Sequence, residues 1–338
     1  MKKFLALILS ATLLMGLFAG CGNSASAPSD TSSAPAPEAD ADNQIKIVTT
    51  IFPEYDWVRQ VLGDQADNVD LTLLLKNGVD LHSYQPTADD LVAISEADLF
   101  IYVGGPSDFW VQDALDNATN KDMVVVNLFD VLGDAVKPMP VVEGMEPHHH
   151  DHEEEGEHCD VGDEHVWLSL PRAVTAVNAI ADALGEIDAD HANLYSDNAA
   201  AYVEKLNALD GDYKAAVAEA PLDTIVFADR FPFFYLADDY QLHYYAAFTG
   251  CSAESDASFE TVAFLAKKID EIGTHSVLTI ENCSHDIPQT VIDNTKTKDQ
   301  KVLVMDSLQS VTSDNIEDGL TYLDVMTDNL DVLRQALQ

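Results

Sequence analysis

IKIVTTIFPEYDWVRQVLGDQADNVDLTLLL, residues 45–75, holds three segments of different period. Ile45–Thr50 and Val69–Leu75 are short apolar runs rich in β-branched residues, the mark of strands buried on both faces. Between them, Glu54 to Leu62 reads as an amphipathic helix. Strand, helix and strand within about thirty residues make a βαβ unit, which sets neighbouring strands parallel.

The unit repeats along the chain. Leu99–Val103 and Val124–Leu128 read as further strands, with helices around Thr87–Ala97 and Phe109–Ala118. A second series has strands at Thr224–Ala228, Leu242–Tyr245, Val277–Ile280 and Val302–Met305. Its helices fall near Phe231–Asp238, Phe259–Glu271, Pro288–Lys296 and Asp314–Leu337. Pro171 to Ala220, between the series, is almost wholly helix-forming and is interrupted only at Asp188–Asp190. One helix before that break and a longer one after it are predicted. Leu194, Ala201, Leu206, Leu209, Tyr213 and Val217 would form the longer helix's apolar stripe. The expectation is an α/β fold of two (β/α) lobes with central parallel sheets, joined by a long rigid helix that limits hinge motion.

The N-terminus, MKKFLALILSATLLMGLFAGC, pairs a basic start at Lys2 and Lys3 with an apolar run from Phe4 to Phe18. That run is shorter than the roughly 20 residues needed to span a bilayer, and reads as a signal peptide. Its LFAGC ending resembles a bacterial lipobox, although Phe18 is bulkier than the residue usual there; Cys21 would then be the lipidated residue. Residues 22–44 are rich in Ser, Ala, Pro and Asp, a composition that cannot bury a core and suits a flexible tether. Lys and Arg number 17 against 59 Asp and Glu, for a net charge of −42. Nucleic acid is excluded as a partner, because binding phosphate takes a basic surface. Cys159, Cys251 and Cys283 remain, and an oxidising exterior would allow Cys251 to pair with Cys283.

One segment has no place in a core. Pro147 to Trp167 reads PHHHDHEEEGEHCDVGDEHVW, which sets imidazoles and a thiol in a dense acidic background. Those are the donors of borderline transition metals, zinc first among them. His148, His149, His150, His152 and His158 together point to metal contact as an accessory loop.

Further donors recur beyond strand ends, where open α/β sheets bind ligands. His82 follows the strand ending at Leu75, and His165 leads into WLSLP. In the second lobe Asp229, Glu281 and Asp306 each follow a strand. Singly, each has an ordinary alternative: a helix cap for His82 and Glu281, a turn for Asp306, an ion pair with Arg230 for Asp229. Jointly, two histidines from one lobe facing carboxylates from the other would make a metal site between the lobes.

Three stretches carry a family resemblance. NGVDLHSYQPTADDLVAISEADLFIYVGG (77–105), EHVWLSLPRAV (164–174) and VLVMDSL (302–308) resemble segments of the cluster A-I metal-binding proteins. These ZnuA/TroA-like proteins are the zinc and manganese receptors of ABC importers. The resemblance implies His82, His165 and Asp306 as ligands, a membrane permease as partner, no catalysis, and a monomer. It also departs from the pattern: in FADRFPFFY, Ala228 stands where a third histidine or a glutamate is usual, leaving Asp229, Glu281 or Cys251 for the fourth ligand. The histidine loop favours Zn²⁺ as cargo, with Mn²⁺ the alternative.

The expected organisation is a signal peptide over 1–21, a tether over 22–44 and a first lobe over 45–190 that includes the histidine-rich loop, 143–165. A linking helix over 191–220 and a second lobe over 221–338 follow. The function expected is that of an extracytoplasmic, lipid-anchored receptor which captures Zn²⁺ and hands it to a permease. A surface metal buffer or adhesin and a metallohydrolase are the rivals. The last lacks support, since neither HExxH nor another metallohydrolase motif occurs.

Overall fold

Two four-stranded sheets, each wholly parallel, organise the chain in the computed structural model, which describes residues 44–146, 162–252 and 256–338. The first sheet holds β1 (Ile45–Thr49), β2 (Val69–Leu73), β3 (Leu99–Tyr102) and β4 (Val124–Asn127) in the order β2-β1-β3-β4. The second holds β5 (Thr224–Phe231), β6 (His243–Thr249), β7 (Ser276–Ile280) and β8 (Lys301–Met305) in the order β6-β5-β7-β8. Each sheet thus reverses its strand order once, between β1 and β3 and between β5 and β7. A crevice opens at such a reversal, beyond the strands' carboxyl ends.

The first lobe's helices are α1 (Phe52–Leu62), α2 (Ala88–Glu96), α3 (Val111–Asp116), α4 (Leu128–Leu132) and α5 (Leu170–Ile187). The long α6 (Ala192–Glu219) leads to the second lobe's α7 (Phe234–Tyr240), α8 (Phe259–Ile272), α9 (Asp286–Asp293), α10 (Ser313–Glu317) and α11 (Tyr322–Ala336). Local chemistry starts several of them. Thr87 caps α2 in a reciprocal pair with Asp90, and Ser169 caps α5 ahead of Pro171.

Three elements differ from the sequence expectation. The buried face of α6 runs through Tyr195, Ala199, Tyr202, Leu206, Leu209 and Tyr213, while Leu194 and Ala201 are exposed. Tyrosines displace leucine there because their hydroxyls reach Asp188 and Asp56 while their rings stay buried. α7 begins at Phe234 because β5 continues to Phe231. The Phe227 ring packs against those of Phe231 and Phe233 at 5.0 and 5.4 Å, which holds that stretch extended in the core. The C-terminal helix is divided in two, Thr321 and Asp324 forming the capping pair that starts α11.

The lobes share one core. A continuous apolar cluster takes Ile47 and Phe100 from the first lobe, Tyr202 and Leu206 from α6, and Phe227, Met305 and Leu330 from the second. Buried polar bonds lock the same boundary. Trp167 Nε1 donates to the Ser307 carbonyl at 2.9 Å, and Tyr322 Oη donates to the Trp167 carbonyl at 2.6 Å. The Tyr322 amide in turn donates to Asp56 Oδ2 at 3.0 Å. No helix among the described residues is long and apolar enough to cross a membrane.

Candidate metal centre

The centre is built on one local device used twice. In DLH (80–82) and DEH (163–165) an aspartate stands two residues before a histidine. Asp80 Oδ1 accepts the His82 amide at 2.9 Å and pairs with His82 Nδ1 at 2.6 Å. Asp163 Oδ1 accepts the His165 amide at 3.0 Å and pairs with His165 Nδ1 at 3.1 Å. Each carboxylate fixes its ring through Nδ1 and leaves Nε2 for another partner. The two rings lie 5.2 Å apart between centroids. His165 is wholly buried, and neither Nε2 has a hydrogen-bond partner.

Glu164 lies between the rings. Its Oε1 is 3.0 Å from His82 Nε2, at an angle outside hydrogen-bond geometry, so the contact is electrostatic. Ser107 holds this carboxylate, its amide donating to Oε2 at 3.0 Å and its hydroxyl to Oε1 at 2.8 Å. Close approach makes this possible: a Cβ on Gly105 would sit 2.5 Å from Glu164 Cβ. Burial works against the charge on Glu164, but His82 and then His165 hold its pKa down to about 2. Burial likewise opposes charge on His82. Its bond with Asp80 and the adjoining Cys251 and Glu164 nonetheless push it up to about 12. The crevice therefore carries a negative field that favours a cation at His82 Nε2.

From the second lobe, the turn after β6 brings Gly250 and Cys251. A Cβ on Gly250 would lie 2.9 Å from His165 Cε1, so only glycine lets this turn abut the ring. Cys251 Sγ lies 3.6 Å from Glu164 Oε1, and burial, the largest influence on its thiol, pushes the pKa up. His82, Glu164 and Cys251 each offer a donor atom, and all three atoms fall within 4.8 Å of one another. Among the described residues no other group of three or more such donors is gathered so closely. Cys251 and Cys283 are both free thiols, so the pairing the exterior would allow is not made.

The carboxylates expected from the second lobe are placed differently. Asp229 turns into the sheet, where Oδ2 accepts from Thr279 Oγ1 at 2.5 Å and the Ile280 amide at 3.2 Å. Glu281 is taken up by Ser307, through its amide at 2.8 Å and its hydroxyl at 2.7 Å. Asp306 accepts the Leu308 amide at 2.7 Å. Burial and the neighbouring Glu281 push Asp306 up to about 6. It borders the centre by way of Ser307 and Trp167, whose ring lies 5.2 Å from that of His165. Ala228 faces the second lobe's packed interior. Two residues on, Arg230 is the β5 side chain that enters the crevice, where it pairs with Asp80 across the lobe boundary. His148, His149, His150, His152, His158 and Cys21 lie outside the described residues.

Glu164, Asp80, Asp163 and Arg230 are the residues the sequence reading passed over. The repeated Asp-x-His spacing was the available signal for two of them. Glu164 was one acid among many beside a histidine run, and nothing marked it.

The model of the zinc-uptake complex component A, periplasmic (ZnuA), matches residues 47–336. The chain belongs to this family. It is 34% identical over 298 residues to the zinc-binding lipoprotein AdcA of Streptococcus pneumoniae, covering 88% of this chain and 56% of that one. The chain thus spans about half the length of several curated relatives it matches. It is 29% identical over 337 residues to the high-affinity zinc uptake system protein ZnuA of Bacillus subtilis, 99% of this chain and 98% of that one. Among solved structures it is similar to the Zn(II)-bound ZnuA-like domain of S. pneumoniae AdcA. There the TM-score is 0.67 at 30% identity, covering 87% of this chain and 99% of that domain.

Proposed function

We propose that this chain is an extracytoplasmic receptor that captures Zn²⁺ in the crevice between its lobes and delivers it to the membrane permease of an ABC importer. The observation that carries this reading is the pair of buried Nε2 atoms without a hydrogen bond, that of His165 and that of His82, the latter 3.0 Å from the Glu164 carboxylate. A buried nitrogen with no partner is costly, and a borderline cation satisfies two of them together with a carboxylate. His82, His165 and Glu164 are the ligands from the first lobe, and one donor from the second lobe, Asp306 or Cys251, completes the set. Family membership supports transport in place of catalysis.

The shared core means that zinc meets a largely preformed site, so little ordering opposes capture. Asp80 and Asp163 fix the aim of the ligand rings through their Nδ1 atoms. In this reading Cys21 carries the lipid anchor and residues 22–44 form the tether. The histidines at 148–150, 152 and 158 gather ions weakly ahead of the tight site. Zinc titration of the metal-free protein tests the proposal. One tight site is expected, lost in the His82→Ala, His165→Ala double variant. Unchanged tight binding in that variant sinks the reading.

A further inference from the structure

We propose that Cys251 is a thiolate ligand to the captured ion, completing a His82, His165, Glu164 and Cys251 set that selects zinc over manganese. The inference rests on the zinc-binding reading above and names the second-lobe donor which that reading leaves open.

Proximity is the first support, since the Cys251, His82 and Glu164 donors already lie within 4.8 Å of one another. Ligands at zinc distances in a tetrahedron stand about 3.5 Å apart, so small side-chain rotations bring these three into range; His165 lies outside that group, its ring 5.2 Å from that of His82. The second support is independent of the cysteine: His165 Nε2, in a fully buried ring, has no partner, and the turn bearing Cys251 abuts that ring through Gly250. None of the rival second-lobe carboxylates, Asp229, Glu281 and Asp306, joins that group; Asp229 and Glu281 are turned to Thr279, Ile280 and Ser307 instead. The thiol, for its part, is in no disulfide.

Coordination takes the thiol proton to solvent as the metal–sulfur bond forms, with no change of oxidation state. A thiolate favours zinc and penalises manganese, which prefers oxygen donors.

The test uses cobalt(II) alone as probe, bound to the full chain carrying Cys159→Ser so that the loop thiol is silent. A near-ultraviolet thiolate-to-cobalt charge-transfer band is expected. It should persist in the Cys283→Ser and Asp306→Asn variants and vanish in Cys251→Ser. The same Cys251→Ser chain should lose about tenfold or more in zinc affinity, at least what removal of an outer partner costs, while manganese affinity changes little. Circular dichroism of each variant shows that it is folded. Tight zinc binding without a band that Cys251→Ser removes overturns the cysteine assignment alone. Absence of any tight zinc site overturns the receptor reading and this inference with it.

Discussion

Asp80→Asn isolates what the outer carboxylate contributes to the centre. The substitution preserves shape and one oxygen, so His82 keeps acceptors for its amide and Nδ1, now at 2.9 and 2.6 Å. It removes the negative charge behind His82 and sets an amide N–H against the Arg230 guanidinium, which Asp80 now pairs. Both changes disfavour a cation at Nε2: the ring is less basic, and an unpaired positive charge is left at the crevice. Loss of such an outer partner lowers metal affinity about 10–100-fold, which is about 1.4–2.7 kcal/mol. Adding Arg230→Gln removes the uncompensated charge, so the double variant should recover part of that loss. Competition of the metal-free protein against a chromophoric zinc chelator measures both. If Asp80→Asn binds zinc as tightly as the parent chain, the carboxylate does not tune His82. If the double variant is the weaker of the two, Arg230 does not oppose the ion.

Further expectations concern stability and the remaining parts of the site. Glu54 is wholly buried, and burial, then Asp108, pushes its carboxyl well above its usual range. A raised acid favours folding while both states are protonated, and that contribution fades as pH rises from the unfolded value through the folded one. Glu54→Gln should therefore gain stability relative to the parent chain as pH is raised from about 4.5, read from denaturant midpoints; a gain that shrinks with pH would contradict this. Tyr322→Phe leaves the buried Trp167 carbonyl without its donor and should cost about 1–3 kcal/mol in urea unfolding while zinc stoichiometry is unchanged. Gly250→Ala places a Cβ 2.9 Å from His165 Cε1 and 3.0 Å from the Phe231 carbonyl oxygen, and should weaken zinc binding by displacing the ring. Calorimetry should show that deletion of residues 147–161 removes weak zinc binding and spares the tight site; loss of the tight site would make that segment a primary source of ligands.

The fold was legible because the inner strands β1, β3, β5 and β7 are largely buried and appear as short apolar runs, with the more exposed edge strands spaced regularly between helices. Helix phase was harder to read. Tyr195 and Tyr202 outcompeted Leu194 and Ala201 for the interior of α6 because their hydroxyls found carboxylates, a tertiary fact absent from local spacing. At the centre, the histidines stood out and their partners did not. With 59 acidic residues in the chain, Asp80, Asp163 and Glu164 carry no contrast, and only the repeated Asp-x-His spacing distinguishes the first two. Arg230 was hidden for a different reason. Aromatic packing extends β5 to Phe231, which leaves Ala228 in the interior and brings Arg230 out at the sheet's end.

The core common to both lobes bears on how long the folded chain survives proteolysis. With Trp167, Ser307, Tyr322 and Asp56 bonded in a chain across the boundary, opening either lobe breaks buried bonds that the other lobe shares. Proteolysis of the opened chain tracks the population of the open form, which falls as a bound ion stabilises the native state. If an ion binds the crevice, the loaded chain should therefore resist proteolysis longer than the empty one.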